Sequence, residues 1–235
     1  MPTFALDTAT ASPSLALVQG DAPTAELWLG PEPGSGRRVL EAAHGLLTAA
    51  GLSVRAIDGI VVGVGPGGFT ALRIGIATAL GLGQALGVPV TGASSLEALA
   101  LGIAEVAPEG VVVAPVLDAR RRELFAAAYR SGPEGGLQEL LGPSALAAAD
   151  LAGILADLRE EVWLGGEVEA GGAALEGPSM RRIPAGAAAN RIRAAALARR
   201  VAAGAGLPAR PVYARLPDAE VNRLAALGAA TGGAA

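Results

Sequence analysis

The sequence predicts a mixed α/β fold assembled from two halves of similar plan. Three observations carry that reading. Short apolar runs separated by turn residues precede a helix, strand, helix, strand order in the first half, and the same grammar restarts after Ser94. In each half the first strand closes on an aspartate, Asp7 and then Asp118. The chain's 235 residues suffice for two small domains, expected at 1–100 and 101–235.

Taken in order, residues 3–6 are an apolar run closed by Asp7-Thr8-Ala9-Thr10, and 14–18 and 25–29 read as two further strands of a meander. A loop rich in Pro and Gly leads to an amphipathic helix over 37–50, stopped by Gly51. Residues 60–64 are a β-branched run of buried-strand type, 70–86 a long helix and 88–91 a strand. The second half offers a helix over 95–105 and strands over 111–117 and 123–129. Helices over 144–159 and 187–203 then flank a short strand, 162–164, that ends in Gly165-Gly166. The tail, 231–235, is expected to fray.

Composition removes several classes. With 51% hydrophobic and 17% charged residues the chain is no disordered segment. The absence of Cys excludes thiol nucleophiles and Cys-ligated metals. All 18 basic residues are Arg, which excludes a Walker A lysine and a Schiff-base lysine. A net charge of −4 argues against strong nucleic-acid binding by the chain alone. The charge-free stretch 74–96 is broken by Gly81, Gly83, Gln84, Gly87 and Pro89, and so reads as a buried helix and strand rather than a membrane span. The N-terminus has no basic and apolar leader, from which a cytoplasmic location is expected.

Candidate sites are few. Gly63-Val64-Gly65-Pro66-Gly67-Gly68 matches G-x-G-x-x-G, yet no acid ends the following strand and Pro66 lacks an N–H. Gly65, Pro66, Gly67 and Gly68 therefore read as a structural turn, with a loose anion nest as the alternative. His44 is the only histidine, so no His pair can bind a metal, and no metal site is expected. Asp7, Thr8 and Asp118 stand where strands end and are candidate cofactor-binding residues near Mg²⁺ and phosphate; the alternative is turn-forming side chains that cap local N–H groups. No catalytic residue is assigned.

The helix over 70–86 has no polar face. Leu72, Ile76 and Leu80 form one stripe, and Gly75, Ala79, Gly83 and Gly87 a second of small residues. The preceding helix, with Val39, Leu40, Ala43, Leu46 and Leu47, is nearly as two-sided. These residues are expected to form a partner interface, the alternative being cover by the second half of the chain. Arg120-Arg121-Arg122 reads as a solvated face that touches RNA only where a partner aligns the surface.

Asp7-Thr8-Ala9-Thr10, Gly65-Pro66-Gly67-Gly68-Phe69-Thr70-Ala71-Leu72-Arg73-Ile74-Gly75, Ser94-Ser95-Leu96, Asp118-Ala119-Arg120-Arg121 and Pro211-Val212-Tyr213-Ala214-Arg215 resemble, in order and spacing, the TsaB (YeaZ) family. Gly68 and Ala71 depart from the Ser and Gly that the family usually carries there. The resemblance implies an ASKHA (actin-like ATPase) fold of two ribonuclease-H-like lobes. It further implies a non-catalytic scaffold that pairs with the catalytic subunit TsaD through the two N-terminal helices, is joined by the ATPase TsaE and homodimerises when alone. Together they place threonylcarbamoyl on the tRNA adenosine beside the anticodon, so that tRNA is met only through the complex and ATP or ADP with Mg²⁺ would lie at the partner interface. The alternatives are an independent actin-like ATPase using Asp7 and Asp118, and a peptidase-like hydrolase.

Overall fold

The computed structural model describes residues 2–20, 22–31 and 38–214. The predicted start of the first helix at Arg37, the Arg215 that ends the last motif and the tail 231–235 lie outside the described residues.

The first half forms β1 (Pro2–Asp7), β2 (Ser14–Gln19), β3 (Ala22–Trp28), α1 (Val39–Ala49), β4 (Gly59–Gly63), α2 (Phe69–Leu86), β5 (Val90–Ala93) and α3 (Ser95–Ala104). The second forms β6 (Val112–Arg120), β7 (Glu123–Ser131), β8 (Leu137–Ala147), α4 (Ala148–Asp157), β9 (Val162–Gly166), β10 (Met180–Arg182) and α5 (Ala194–Ala202). The two sheets run β3-β2-β1-β4-β5 and β10-β9-β6-β7-β8. Each is an antiparallel three-strand meander whose first strand is extended in parallel by two later ones. This repeated order is the ribonuclease-H-like lobe, and the pair makes the actin-like α/β fold.

Both faces of each sheet are covered, and the period-2 alternation of a strand decides which residue goes where. Phe4, Leu6, Leu15, Leu17, Ile60 and Val62 face outward onto α1 and α2. Ala5, Ala16 and Val61, between them in sequence, face inward. These inner residues are small, and so are Ala194, Ala195, Ala196 and Ala198 of α5, which lies on β1, β2, β4 and β5. Small side chains on both partners let the helix approach the sheet closely. The last helix of each half lies on the other half's sheet, α3 on β6, β9 and β7 and α5 on the first sheet, and the two helices touch. Arg193 adds an ionic tie, with Nε 3.1 Å from Glu26 on β3 and Nη1 2.7 Å from Glu105 after α3.

Two predicted helices begin later than expected. Residues 144–147 belong to β8, an edge strand, where Pro143 costs no ladder bond on its outer side. Residues 187–193 hold only a 3-10 turn, Ala188–Asn190. There the Asn190 side chain accepts from Gly166 N–H at 3.0 Å and donates to Pro184 O at 2.9 Å, which diverts the backbone from a helix. The helix Phe69–Leu86 is long and apolar enough to cross a membrane, but its inner face lies on β4, β1 and β5 and it ends at Gly87 in the left-handed conformation, φ 70°.

Candidate functional site

Asp7, at the end of β1, is turned into the protein and is 1% exposed. Its Oδ2 accepts from Ser95 Oγ at 2.6 Å and its Oδ1 from Ala9 N–H at 2.7 Å. Burial raises its pKa above the usual 3.8, partly offset by these two hydrogen bonds. Thr8 is as deeply buried; its Oγ1 donates to Ala71 O at 2.7 Å, and a Cβ at Gly75 would overlap it. The polar atoms of both residues are committed inside the first lobe.

The glycine turn between β4 and α2 is likewise packed. Gly65 N–H donates to Ser95 Oγ at 3.2 Å and Gly68 N–H to Ala9 O at 2.9 Å, while Pro66 has no donor. Gly65 has φ 101°, and a Cβ at Gly67 would collide with Ala9. Two of the N–H groups that an anion nest would use, those of Gly65 and Gly68, are thus spent on the protein itself.

Asp118 occupies the corresponding place in the second lobe, but it faces a cleft of about 540 Å³ between the lobes. The cleft is lined by Thr10, Phe69, Asp118, Arg120, Phe125, Glu167 and Tyr213, among others. Glu167 Oε2 accepts from Asp118 N–H at 2.8 Å. Asp118 in turn accepts from Arg120 N–H at 2.7 Å and pairs with its guanidinium at 3.0 Å. Arg120, Arg121 and Arg122 all have positive φ, 65°, 53° and 65°. Left-handed backbone costs an L-residue about 1–2 kcal/mol, so the β6–β7 hairpin carries three arginines where Asn or Gly would be cheaper. At the other wall, Tyr213 stacks on Phe69 with centroids 5.3 Å apart, Arg73 lies 3.9 Å over the Phe69 ring, and Arg73 Nε donates to Tyr213 Oη at 3.1 Å. The segment carrying Tyr213 is held by Val212 N–H donating to Val64 O at 2.8 Å.

The cleft does not fit a magnesium–nucleotide complex by itself. Asp7 and Thr8 are turned away, and Asp118 is matched to Arg120. Among the described residues no three His, Asp or Glu side chains gather to hold a metal. Sequence reasoning missed Ser95 as the partner of Asp7, and Glu167, Phe69 and Tyr213 as cleft residues. Glu167 had a signal: it follows Gly165-Gly166 at the end of the fourth strand of its lobe.

The residues expected at a partner interface are divided by the structure. Val39, Ala43, Leu46, Leu47, Leu72, Ile76 and Ala79 are buried at 6% exposure or less, and Gly75 and Gly83 are buried as well. Cβ atoms at these two glycines would strike Thr8 and Val90, so the small-residue stripe admits the lobe's own sheet and not a second subunit. That expectation is corrected to Leu40 alone, 54% exposed, joined on α2 by Leu80, 46% exposed, with Ala77 and Gly81 also exposed. His44 is exposed on α1.

Two ribonuclease-H-like lobes around a cleft define a protein of the actin-like class. The family model described as TsaD, tRNA N6-adenosine threonylcarbamoyltransferase, matches residues 35–164. The TsaB protein of Bacillus subtilis is 32% identical over 61% of this chain and 60% of its own length, and that of Escherichia coli 35% identical over 57% and 58%. Both relatives are named tRNA threonylcarbamoyladenosine biosynthesis proteins. The solved structure of YeaZ from Pseudomonas aeruginosa matches with a TM-score of 0.70 at 26% identity, over 90% of this chain and 100% of that one. The chain belongs to the TsaB (YeaZ) family, within the wider family that the TsaD model describes. It spans 60% of the length of the Bacillus relative and 22% of one from Mycobacterium leprae.

Proposed function

We propose that this chain is a non-catalytic subunit of the machinery that makes threonylcarbamoyladenosine in bacterial tRNA, working in the cytoplasm, and that it docks TsaD through the outward faces of α1 and α2 in its N-terminal lobe, residues 1–100. The observation that carries the reading is the outer stripe of α2. Phe69, Ala77, Leu80 and Gly81 are exposed there, among the polar Thr70, Arg73 and Gln84, beside the exposed Leu40 of α1. A chain does better to cover such a face than to leave it in water. A partner with the same pair of helices fits it in a pseudo-symmetric four-helix packing, and on the same geometry the chain alone is expected to pair with itself. TsaE joins the pair, and any ATP or ADP with Mg²⁺ belongs to a site that the partner completes.

The readings as an independent ATPase or a peptidase lose support from the same geometry. Asp7 is engaged with Ser95 and Ala9, and His44 stands exposed on α1. The test is light-scattering mass of the chain alone and mixed with TsaD from the same organism. The reading expects a homodimer that exchanges into a one-to-one complex, and loses both when Leu80→Glu is introduced. A monomer that ignores TsaD overturns it.

A further inference from the structure

We propose that the surface on which TsaD docks continues from the outer face of α2 onto the segment 207–214, where Phe69, Arg73 and Tyr213 form its aromatic anchor. The inference deepens the reading above and rests on it.

The outer faces of α1 and α2 supply only part of what a stable interface needs. Such an interface engages about 20–30 residues a side and is rich in aromatic and Arg side chains. Gly45, Ala49, Ala77 and Gly81 are exposed on the two helices with little or no side chain to offer. Beyond Phe69, the large apolar side chains exposed there are Leu40 and Leu80. Phe69, in the first turn of α2, is the only Phe, Tyr or Trp on either helix. Further contact area has to come from a neighbouring element.

That element adjoins the stripe directly. Positions 69, 73, 77 and 80–81 follow one another along one face of a helix, so Phe69 and Arg73 continue the line of Ala77, Leu80 and Gly81. At the N-terminal end of this line Tyr213 stacks on Phe69 and accepts from Arg73 Nε, while Arg73 covers the Phe69 ring. Phe69, Val212 and Tyr213 are 37%, 41% and 40% exposed and line the cleft where it adjoins the first turn of α2. Large apolar side chains gathered in one place mark a surface that a partner covers.

The segment is fixed before any partner arrives. Leu207 and Gly92 exchange two backbone hydrogen bonds of 2.9 and 2.8 Å, and Val212 N–H donates to Val64 O at 2.8 Å. Ala209 packs on the core that α1 and α2 cover, and a Cβ at Gly92 would lie 2.6 Å from Pro208 O. An anchor held in this way loses little freedom on docking, and Tyr and Arg are the side chains that most often carry binding energy.

The occupant is TsaD. The family model of that name matches residues 35–164, a stretch that holds both helices, so a TsaD chain brings counterparts of α1 and α2. A partner helix that follows the stripe from Gly81 to Phe69 ends against Tyr213. A second copy of this chain and the chain's own C-terminal residues are the competing occupants.

The test is titration calorimetry of the full chain with TsaD from the same organism, with a melting curve on each variant. Tyr213→Ala and, separately, Val212→Glu should weaken the complex roughly tenfold or more. Val106→Glu, at an exposed position after α3, should leave it unchanged. Hydroxyl-radical footprinting of the unaltered chain, diluted until light scattering shows a monomer, keeps the test decisive should a variant misfold. Phe69 and Tyr213 should oxidise readily in the monomer and several-fold less once TsaD is added. Full affinity in both variants, or rings oxidised equally with and without TsaD, overturns this proposal and leaves docking by the helices standing. Rings already shielded in the monomer assign the anchor to the chain's own C-terminal residues, and shielding by a second copy but not by TsaD assigns it to self-association; either overturns the proposal. Weakening by Tyr213→Ala and Val212→Glu but not by Leu80→Glu keeps the anchor and overturns the helix faces. No complex at all overturns both.

Discussion

Ser95 Oγ donates to Asp7 Oδ2 at 2.6 Å, joining the end of β1 to the start of α3 across 88 positions of sequence. The same Ser95 oxygen accepts from Gly65 N–H, and Ser95 N–H donates to Gly65 O at 3.0 Å. One hydroxyl therefore ties together the first strand, the glycine turn and the helix that crosses to the second lobe. A buried carboxylate so held is a structural joint.

That joint has a pH signature. Burial holds the Asp7 pKa above its ordinary 3.8, so the folded protein keeps a proton that the unfolded chain releases. The contribution of Asp7 to stability is then greatest below pH 3.8 and declines as pH rises through the raised value. Asp7→Asn should flatten this decline, because the amide never ionises. Asp7→Ala should cost about 1–3 kcal/mol at neutral pH by orphaning Ser95 and Ala9 N–H. Urea denaturation across the acidic range checks both, and an Asn variant with an unchanged pH profile would refute the assignment.

Gly75→Leu distinguishes an inward stripe from an outward one. Its Cβ would meet Thr8, the residue that follows the lobe's own first strand, so the substitution should lower folding stability by about 1–3 kcal/mol or more. Were the stripe an interface instead, the change would show only as lost association and as loss of any concentration dependence of melting. Thermal unfolding decides.

Leu80→Glu is the complementary change. Leu80 is 46% exposed, so stability should move by no more than about 0.5 kcal/mol. Association should be lost, because a charge in a desolvated interface goes unpaired. Light scattering and a melting curve on one preparation separate the two effects.

Arg193→Ala tests the tie between the halves. Glu26 is only 9% exposed at its side chain and would keep Ala195 N–H but lose the guanidinium. A cost of about 1–3 kcal/mol is expected, against about 0–0.5 kcal/mol for Arg181→Ala in the exposed pair with Glu161. Equal costs would show that the tie between the halves adds nothing.

Much of the fold was legible because strand and helix periodicities are local. The β-branched run at 60–64 and the break at Gly87 announce themselves within a few residues. β8 was not, since the end of an edge strand after Pro143, Ser144-Ala145-Leu146-Ala147, carries no clear alternation and passes for a helix. The first half of the predicted helix over 187–203 failed for a different reason: Asn190 is captured by the nearby Pro184 and by Gly166, 24 positions away and outside any local window. Of the candidate site, Asp118 and the glycine turn could be named from sequence and Glu167 left a signal after Gly165-Gly166, but not the cleft role of Phe69 or Tyr213, which exists only where two lobes meet.

By itself the sequence determined the duplicated order of strands and helices, the family and the absence of lysine and cysteine chemistry, all of which follow from residue type and short-range spacing. Which side of α2 faces water was decided by the tertiary structure. Its residues are apolar all round, so pattern could not say which would be covered; the fold buries Leu72, Ile76, Gly75, Ala79 and Gly83 alike, with Thr8 and Val90 too close to the two glycines for any side chain, and leaves Ala77, Leu80 and Gly81 outside. The different fates of Asp7 and Asp118 were decided in the same way. The two look alike as strand-ending acids, but the packing of α3 beside β1 encloses the first, while the opening between the lobes leaves the second at the cleft.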